Sequence, residues 1–361
     1  MTGRGTAGRS RRAPWARRTL ADLLAEHGLE DAVEEPFAHD GWSGASLTLL
    51  RRGGARFILK RTSWATDWIA RSTRDHALRE AVVAAEPAPL QAPLSSPYLG
   101  AAADGNAAAI LMPDLGGELL AWDGAAAGSA VAPTTLDRVL AAAAALHSMP
   151  WLELRRTPSG LRWPWCPVRE RIQLLSRDSA RRYVAGGLAV GGRFLAGWDA
   201  FDRQASPAAA DLVRRLSADP STLLAALGRL PAMGLHGDLK LANCALRHDG
   251  SVALIDWQLT TLAPVAVELG WLLVSNAGQL PDPPEVAFEC YVAALGPGDR
   301  GRILGEEAAQ LDLAILVGLL LRGWRKGLDA EAGVLLPSGR SATEDLAWWC
   351  ERAVEAARRR L

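Results

Sequence analysis

The run His236-Gly237-Asp238-Leu239-Lys240-Leu241-Ala242-Asn243 puts a carboxylate, an ammonium and an amide into eight consecutive residues. Thirteen residues after Asn243, the apolar pair Leu254-Ile255 ends on a second carboxylate, Asp256, followed by Trp257. Phosphoryl transfer needs this combination. A carboxylate must hold an acceptor hydroxyl in line with the phosphorus and accept its proton. Oxygen ligands must fix magnesium on the phosphates, and a cation must meet the charge on the transferred group. Asp238 suits the first task and Asn243 with Asp256 the second. Lys240, two residues past Asp238, can reach the same phosphate.

The intervening residues can fold these groups together. His248-Asp249-Gly250-Ser251 contains Asp-Gly, the signal of a tight hairpin. The apolar strand Val252 to Ile255 then returns Asp256 to the side of Asn243. A lone His-Gly-Asp is as readily a capping pair as a site, whereas the complete pattern is far more specific.

The segment resembles the catalytic loop of the aminoglycoside phosphotransferase and choline kinase family, and is similar to the HRDLKxxN and DFG pair of protein kinases. Gly237, where protein kinases carry arginine, puts it on the small-molecule side. The resemblance implies an α+β, protein-kinase-like fold of two lobes, the first small and β-rich, the second larger and helical. It implies ATP and Mg2+ as cofactors and a hydroxylated small molecule as acceptor. Asp238 is then the catalytic base beside Lys240, His236 its structural support, and Asn243 and Asp256 the magnesium ligands.

The resemblance also implies an upstream nucleotide lobe with a glycine-containing loop, a strand lysine and a helix glutamate. Gly41-Trp42-Ser43-Gly44-Ala45-Ser46 stands before the first expected strand. There Ser43, Gly44 and Ser46 can let backbone N–H groups approach phosphates. Lys60 lies in Phe57-Ile58-Leu59-Lys60-Arg61, and a lysine on an apolar strand needs a partner. Glu80, with Ala77, Val83 and Ala84 as helical neighbours, is the expected one. Ile110 to Leu115 falls at the family's hinge, which assigns Met112 and Asp114 to the nucleotide. His147, at a helix end, is expected to be structural. Glu268-Leu269-Gly270 departs from the family's common Asp-Leu-Ala, which leaves that supporting contact in question.

The elements that must hold these groups are partly legible. A helix is expected from Thr19 to His27, stopped by Gly28. A hairpin is expected with strands Ser46 to Leu50 and Arg56 to Arg61 around Gly53-Gly54. A helix over 74–86 and a strand from Ala108 to Met112 follow. Helices are expected over 134–147, 166–184, 208–228, 284–295, 305–322 and 341–360. This divides the chain into a disordered basic tail (1–18), a nucleotide-binding lobe (19–116) and a catalytic and substrate lobe (117–361).

Bulk properties narrow the partners. Lys+Arg and Asp+Glu are both 40 in 361 residues, so no global charge favours nucleic acid. Arg4, Arg9, Arg11, Arg12, Arg17 and Arg18 crowd the first eighteen residues without an apolar run behind them, which is not a secretory signal. The most apolar segment, Leu313 to Leu321, is nine residues, too short for a membrane span and expected to be a buried helix. Four cysteines without CxxC spacing fit a cytoplasmic protein. Residues 151–200 carry nine arginines against Glu153, Glu170, Asp178 and Asp199, so a polycationic aminoglycoside is not the favoured acceptor. Trp151, Trp163, Trp165 and Trp198 are expected mainly as packing residues. Arg322, Trp324 and Arg325 sit on a late helix that can line the acceptor cleft. The alternatives are a pseudokinase interaction module or a protein kinase. The oligomeric state is not expressed in the sequence.

Overall fold

The computed structural model describes residues 12–37, 41–120, 130–151, 156–281 and 283–361. Arg4, Arg9, Arg11 and Glu153 lie outside them. The N-terminal part runs α1 (Leu20–Glu26), β1 (Val33–Pro36), β2 (Ser46–Arg52), β3 (Ala55–Thr62), α2 (Trp68–Ser72), α3 (Arg79–Ala85), β4 (Leu94–Ser95), β5 (Gly100–Asp104) and β6 (Ala107–Pro113). Five of these strands form an antiparallel sheet in the order β1-β2-β3-β6-β5.

Both faces of that sheet are covered, and strand alternation sorts the side chains between them. Ile58, Ala101, Ala108, Ile110 and Met112 join the main core. Leu50, Leu59, Ala102, Ala109 and Leu111 face the other way, onto Leu23 of α1. Lys60 follows Leu59, so it points inward with Ile58, toward α3. Thr19 caps α1 through a capping box with Asp22, and Gly53 and Gly54 turn the β2–β3 hairpin at positive φ.

Past Pro113 the chain crosses to the second part. Leu120 donates to Cys244 O (2.9 Å) and Leu246 donates to Glu118 O (2.9 Å). This part runs α4 (Pro133–Ser148), α5 (Val168–Gln173), α6 (Arg177–Ala185), α7 (Ala189–Gln204), α8 (Pro207–Ala218), α9 (Ser221–Leu227), β7 (Met233–Leu235), β8 (Cys244–Leu246), β9 (Val252–Leu254) and β10 (Thr261–Ala263). It ends with α10 (Val265–Asn276), α11 (Pro284–Ala294), α12 (Pro297–Leu304), α13 (Glu307–Glu331) and α14 (Ala342–Arg360). The apolar run Leu313–Leu321 is buried in the middle of α13. Among the described residues no helix is long and apolar enough to cross a membrane. The architecture is the expected small antiparallel sheet followed by a larger helical part, a protein-kinase-like α+β fold.

Several elements differ from expectation. Residues 14–18, expected within a disordered tail, are packed: Pro14–Arg17 form a 3-10 turn, and Trp15 Nε1 donates to Ala77 O (2.8 Å). One indole and one proline give this short stretch apolar surface to bury. The helix expected over 74–86 begins only at Arg79, because Leu78 is left-handed (φ 55°) and Asp75 Oδ2 accepts from Arg79 N (2.8 Å). The helix expected over 166–184 breaks at Ser176, whose hydroxyl caps α6. Strands β1 and β5 and helices α2, α7, α10 and α12 were not expected, and α13 runs nine residues past 322.

α10 crosses α13 at a point where Gly270 and Gly318 meet. A Cβ on Gly270 would lie 2.4 Å from Ala314 O and 3.1 Å from Gly318 N. Alanine is normally the better helix former, so Gly270→Ala would stabilise a free helix. Here it should instead cost about 1–3 kcal/mol from overpacking. A denaturant midpoint at or above that of the wild type would contradict this close approach.

Candidate active site

Two buried charged groups organise the site. The first is Glu268 on α10. Its Oε2 accepts from His236 N (2.7 Å) and its Oε1 from Gly237 N (2.7 Å). His147 Nε2 lies 3.4 Å from Oε2, and His147 Nδ1 lies 2.8 Å from the Tyr291 hydroxyl. Glutamate in place of aspartate therefore does reach the loop. Burial pushes the Glu268 carboxyl up. The His147 hydrogen bond and the Gly237 N–H together overcome that and hold it below its ordinary value.

The loop that Glu268 grips has one backbone form. Gly237 sits at φ +84°, and a Cβ there would fall 1.9 Å from Leu259 O. Its carbonyl accepts from Arg171 Nε (2.6 Å), a buried guanidinium on α5. His236 is a support, as expected. Nδ1 accepts from Asp238 N (3.2 Å), and Nε2 is 2.9 Å from Ile255 O. Burial pushes its pKa down, and a neutral ring protonated at Nε2 satisfies both contacts.

Asp238 then projects with its carboxylate held from two sides. Asn243 Nδ2 donates to Asp238 Oδ2 (2.9 Å) and to Asp238 O (2.8 Å). Lys240 Nζ donates to Asp238 Oδ2 (3.1 Å). With its nitrogen facing Asp238, the Asn243 side chain has its carbonyl oxygen as the atom suited to a metal.

The second organising group is the Lys60 ammonium, with Glu80 and Asp256. Nζ donates to Glu80 Oε2 (2.6 Å) and to Asp256 Oδ1 (2.8 Å). The Lys60 and Glu80 side chains are 12% and 4% exposed, that of Asp256 27%. Asp256 is thus the most exposed member of the cluster and Glu80 the least. Burial opposes the Lys60 charge, but the two carboxylates win and hold its pKa above the ordinary value. Burial likewise raises Asp256, yet Lys60 and Lys240 bring it below the usual carboxylate range. Glu80 is raised by burial, with the Asp256 charge adding to it.

Tyr98 closes this cluster and was missed in the sequence. Its hydroxyl donates to Glu80 Oε1 (3.0 Å) and accepts from Asp256 N (3.1 Å). Asp256 itself is left-handed, at φ 69°. Tyr98 follows Ser-Ser-Pro in a loop, where no periodicity marks it. Arg171 was missed because its stretch was read only for its total charge.

The remaining expected residues fall around this centre. Ser43-Gly44 forms the turn into β2, where Ser43 Oγ accepts from Ala45 N (3.3 Å) and Gly44 packs against the Thr66 backbone. Ser46 opens β2, whose next residue, Leu47, pairs with Lys60. Met112 pairs with Ile58 and is buried in the main core. Asp114 accepts from Arg56 Nε (2.7 Å) and, through Oδ1, from Gly116 N (3.0 Å), so its side chain braces the sheet end. Trp151, Trp163 and Trp198 are buried packing residues, as expected.

Oxygen donors of the kind magnesium takes, Asp256 carboxylate and Asn243 amide, converge beside an ammonium. This donor chemistry fits a magnesium–phosphate group. Fold and site together have the form of a kinase-like phosphotransferase. The model of the phosphotransferase enzyme family matches residues 35–303, and the chain belongs to that family. No curated protein matches it. Among solved structures, an aminoglycoside phosphotransferase from Alicyclobacillus acidocaldarius is 16% identical, with a TM-score of 0.46 over 91% of this chain and 92% of that one. Choline kinase LicA from Streptococcus pneumoniae is 11% identical, with a TM-score of 0.48 over 93% and 98%. Macrolide 2′-phosphotransferase MphH from Brachybacterium faecium is 19% identical, with a TM-score of 0.37 over 93% and 97%.

Glu268 makes a pH prediction. Its folded pKa lies below the ordinary 4.5. The stability it adds is therefore complete above that pH and is lost as pH falls through the folded value. In Glu268→Gln only one acceptor oxygen remains for two backbone donors. The variant should be less stable by about 1–3 kcal/mol near neutrality, with a shallower loss on the acid side. Equal stability and an equal acid slope would contradict the assignment.

Proposed function

We propose that this enzyme transfers the γ-phosphate of ATP to a hydroxyl of a small molecule, with magnesium held by Asn243 and Asp256. What carries the reading is the Lys60 ammonium bridging Glu80 and Asp256 while Asn243 ties Asp256's neighbour strand to Asp238 (Ile255 N donates to Asn243 O, 3.0 Å). One cleft thus gathers a base, two metal-ligand oxygens and two ammonium groups.

In this reading Lys60 binds nucleotide phosphate from the sheet side, and Glu80 and Tyr98 fix its direction. Asp238 orients the acceptor hydroxyl and takes its proton, a role suited to a carboxylate pinned by Asn243 and Lys240. Lys240, beside Asp238, meets charge on the group being transferred. Magnesium, when bound, neutralises phosphate charge and fixes phosphate geometry. Ser43, Gly44 and Ser46 border the phosphates, Met112 packs on the base, and the hinge backbone near Asp114 hydrogen-bonds it. A cytoplasmic location suits four cysteines that are all free.

Asp238→Ala should lower turnover by roughly 10²–10⁴-fold, the span of a lost general base, with ATP affinity nearly unchanged. ATP consumption against a panel of sugars, amino sugars, amino alcohols and hydroxy acids measures this. Near-normal turnover in the variant would refute the role of Asp238.

A further inference from the structure

A cavity of about 210 Å³ lies between the C-terminal end of α10, α13 and the start of α14. Arg322, Arg325 and Lys326 line it against Asp329 and Asp345. Arg325 Nε donates to Asp329 Oδ2 (3.0 Å), and Lys326 is bonded to Asp345, which Arg340 also approaches at 3.9 Å. Positive charge is therefore in excess over the two carboxylates. Ser275 Oγ also lines the cavity, buried and without a hydrogen-bond partner.

Asn276, next to Ser275 of the cavity wall, accepts from Leu241 N of the loop after Asp238 (3.3 Å), and Arg322 stands in the same wall. Its guanidinium lies against the rings of Trp271 (5.7 Å) and Trp324 (5.6 Å). Burial, then the charge of Arg325, pushes it down to about 10, while Asp329 and Asp238 act in the opposite sense. Lys240 lies 3.1 Å from Asp238, Arg171 on α5 donates to the neighbouring Gly237 O (2.6 Å), and Arg322 shares the Trp271 ring with Arg171 (5.7 and 4.9 Å), so two further cations stand behind the loop that carries Asp238. A polycationic acceptor would meet this field as repulsion. An anion would relieve it and supply an acceptor for the Ser275 hydroxyl beside the Arg325 guanidinium.

We propose that the acceptor carries an anionic group, a carboxylate or phosphate, which binds at Arg322, Arg325 and Ser275 while its hydroxyl is presented to Asp238. This rests on the kinase reading above.

The test is calorimetric titration of the full chain with ADP and magnesium at saturation, which fill the nucleotide site. Inorganic phosphate is the minimal anion. Glucuronate, glucose and glucosamine then form a series alike in ring and different in charge. Phosphate should bind and be displaced by glucuronate, and glucosamine should bind most weakly. Arg325→Gln should weaken anion binding about tenfold, and Arg325→Lys should lose less than Arg325→Gln, because the charge remains while the fork is lost. Absence of phosphate binding, equal binding in Arg325→Gln, no displacement by glucuronate, or preference for glucosamine would each overturn the proposal. ADP–magnesium binding is read in the same experiment. Its failure would sink the kinase reading, whereas its success without anion binding would sink this proposal alone.

Discussion

The position of one ammonium group governs much of this molecule. Lys60 Nζ is largely removed from water and has carboxylates at 2.6 and 2.8 Å. A buried charge costs several kcal/mol unless its partners are held in place. Those partners come from two other elements, α3 and the turn after β9. Their meeting fixes the angle of α3 on the sheet and the approach of the Asp256 turn to it. Tyr98 adds a fourth segment by bonding both carboxylate-bearing residues. The sheet and the helical part are joined here by charge and hydrogen bonds, where apolar packing alone would allow sliding.

Glu268 performs the matching task in the helical part. It satisfies two buried backbone N–H groups that no strand partner reaches, and so holds the Gly237 turn from which Asp238 projects. The carboxylate is in register only because α10 lies close on α13, where Gly270 and Gly318 let the backbones meet. The same α13 carries Arg322, Arg325 and Lys326 to the cavity beside the end of α10. Packing of small residues thereby sets the geometry of charged ones some distance away.

The motif from His236 to Asp256 was legible because chemistry restricts residue type and spacing together. The β2–β3 hairpin was legible through its paired glycines, and Lys60 with Glu80 through charges on apolar elements. Other features left no such trace. β5 reads Gly-Ala-Ala-Ala-Asp, with no branched or aromatic residue to signal a strand, and is stabilised by its pairing with β6. α7 contains Gly191, Gly192 and Gly197, which argue locally against helix. Yet Gly197 is needed where a Cβ would lie 2.6 Å from Trp324 O. Tyr98 and Arg171 act through contacts spanning long sequence separations, which residue spacing cannot express.

If the Lys60–Asp256 cluster is a magnesium–nucleotide site, as proposed, and not a structural ion pair, Asp256 must carry the metal dependence of ATP binding. Titrating ATP into the full chain with and without magnesium, for the wild type and for Asp256→Asn, tests it most directly. Magnesium should strengthen ATP binding to the wild type, and this enhancement should be lost in the variant while metal-free binding persists. The same magnesium dependence in both proteins, or no ATP binding to the wild type, would contradict it.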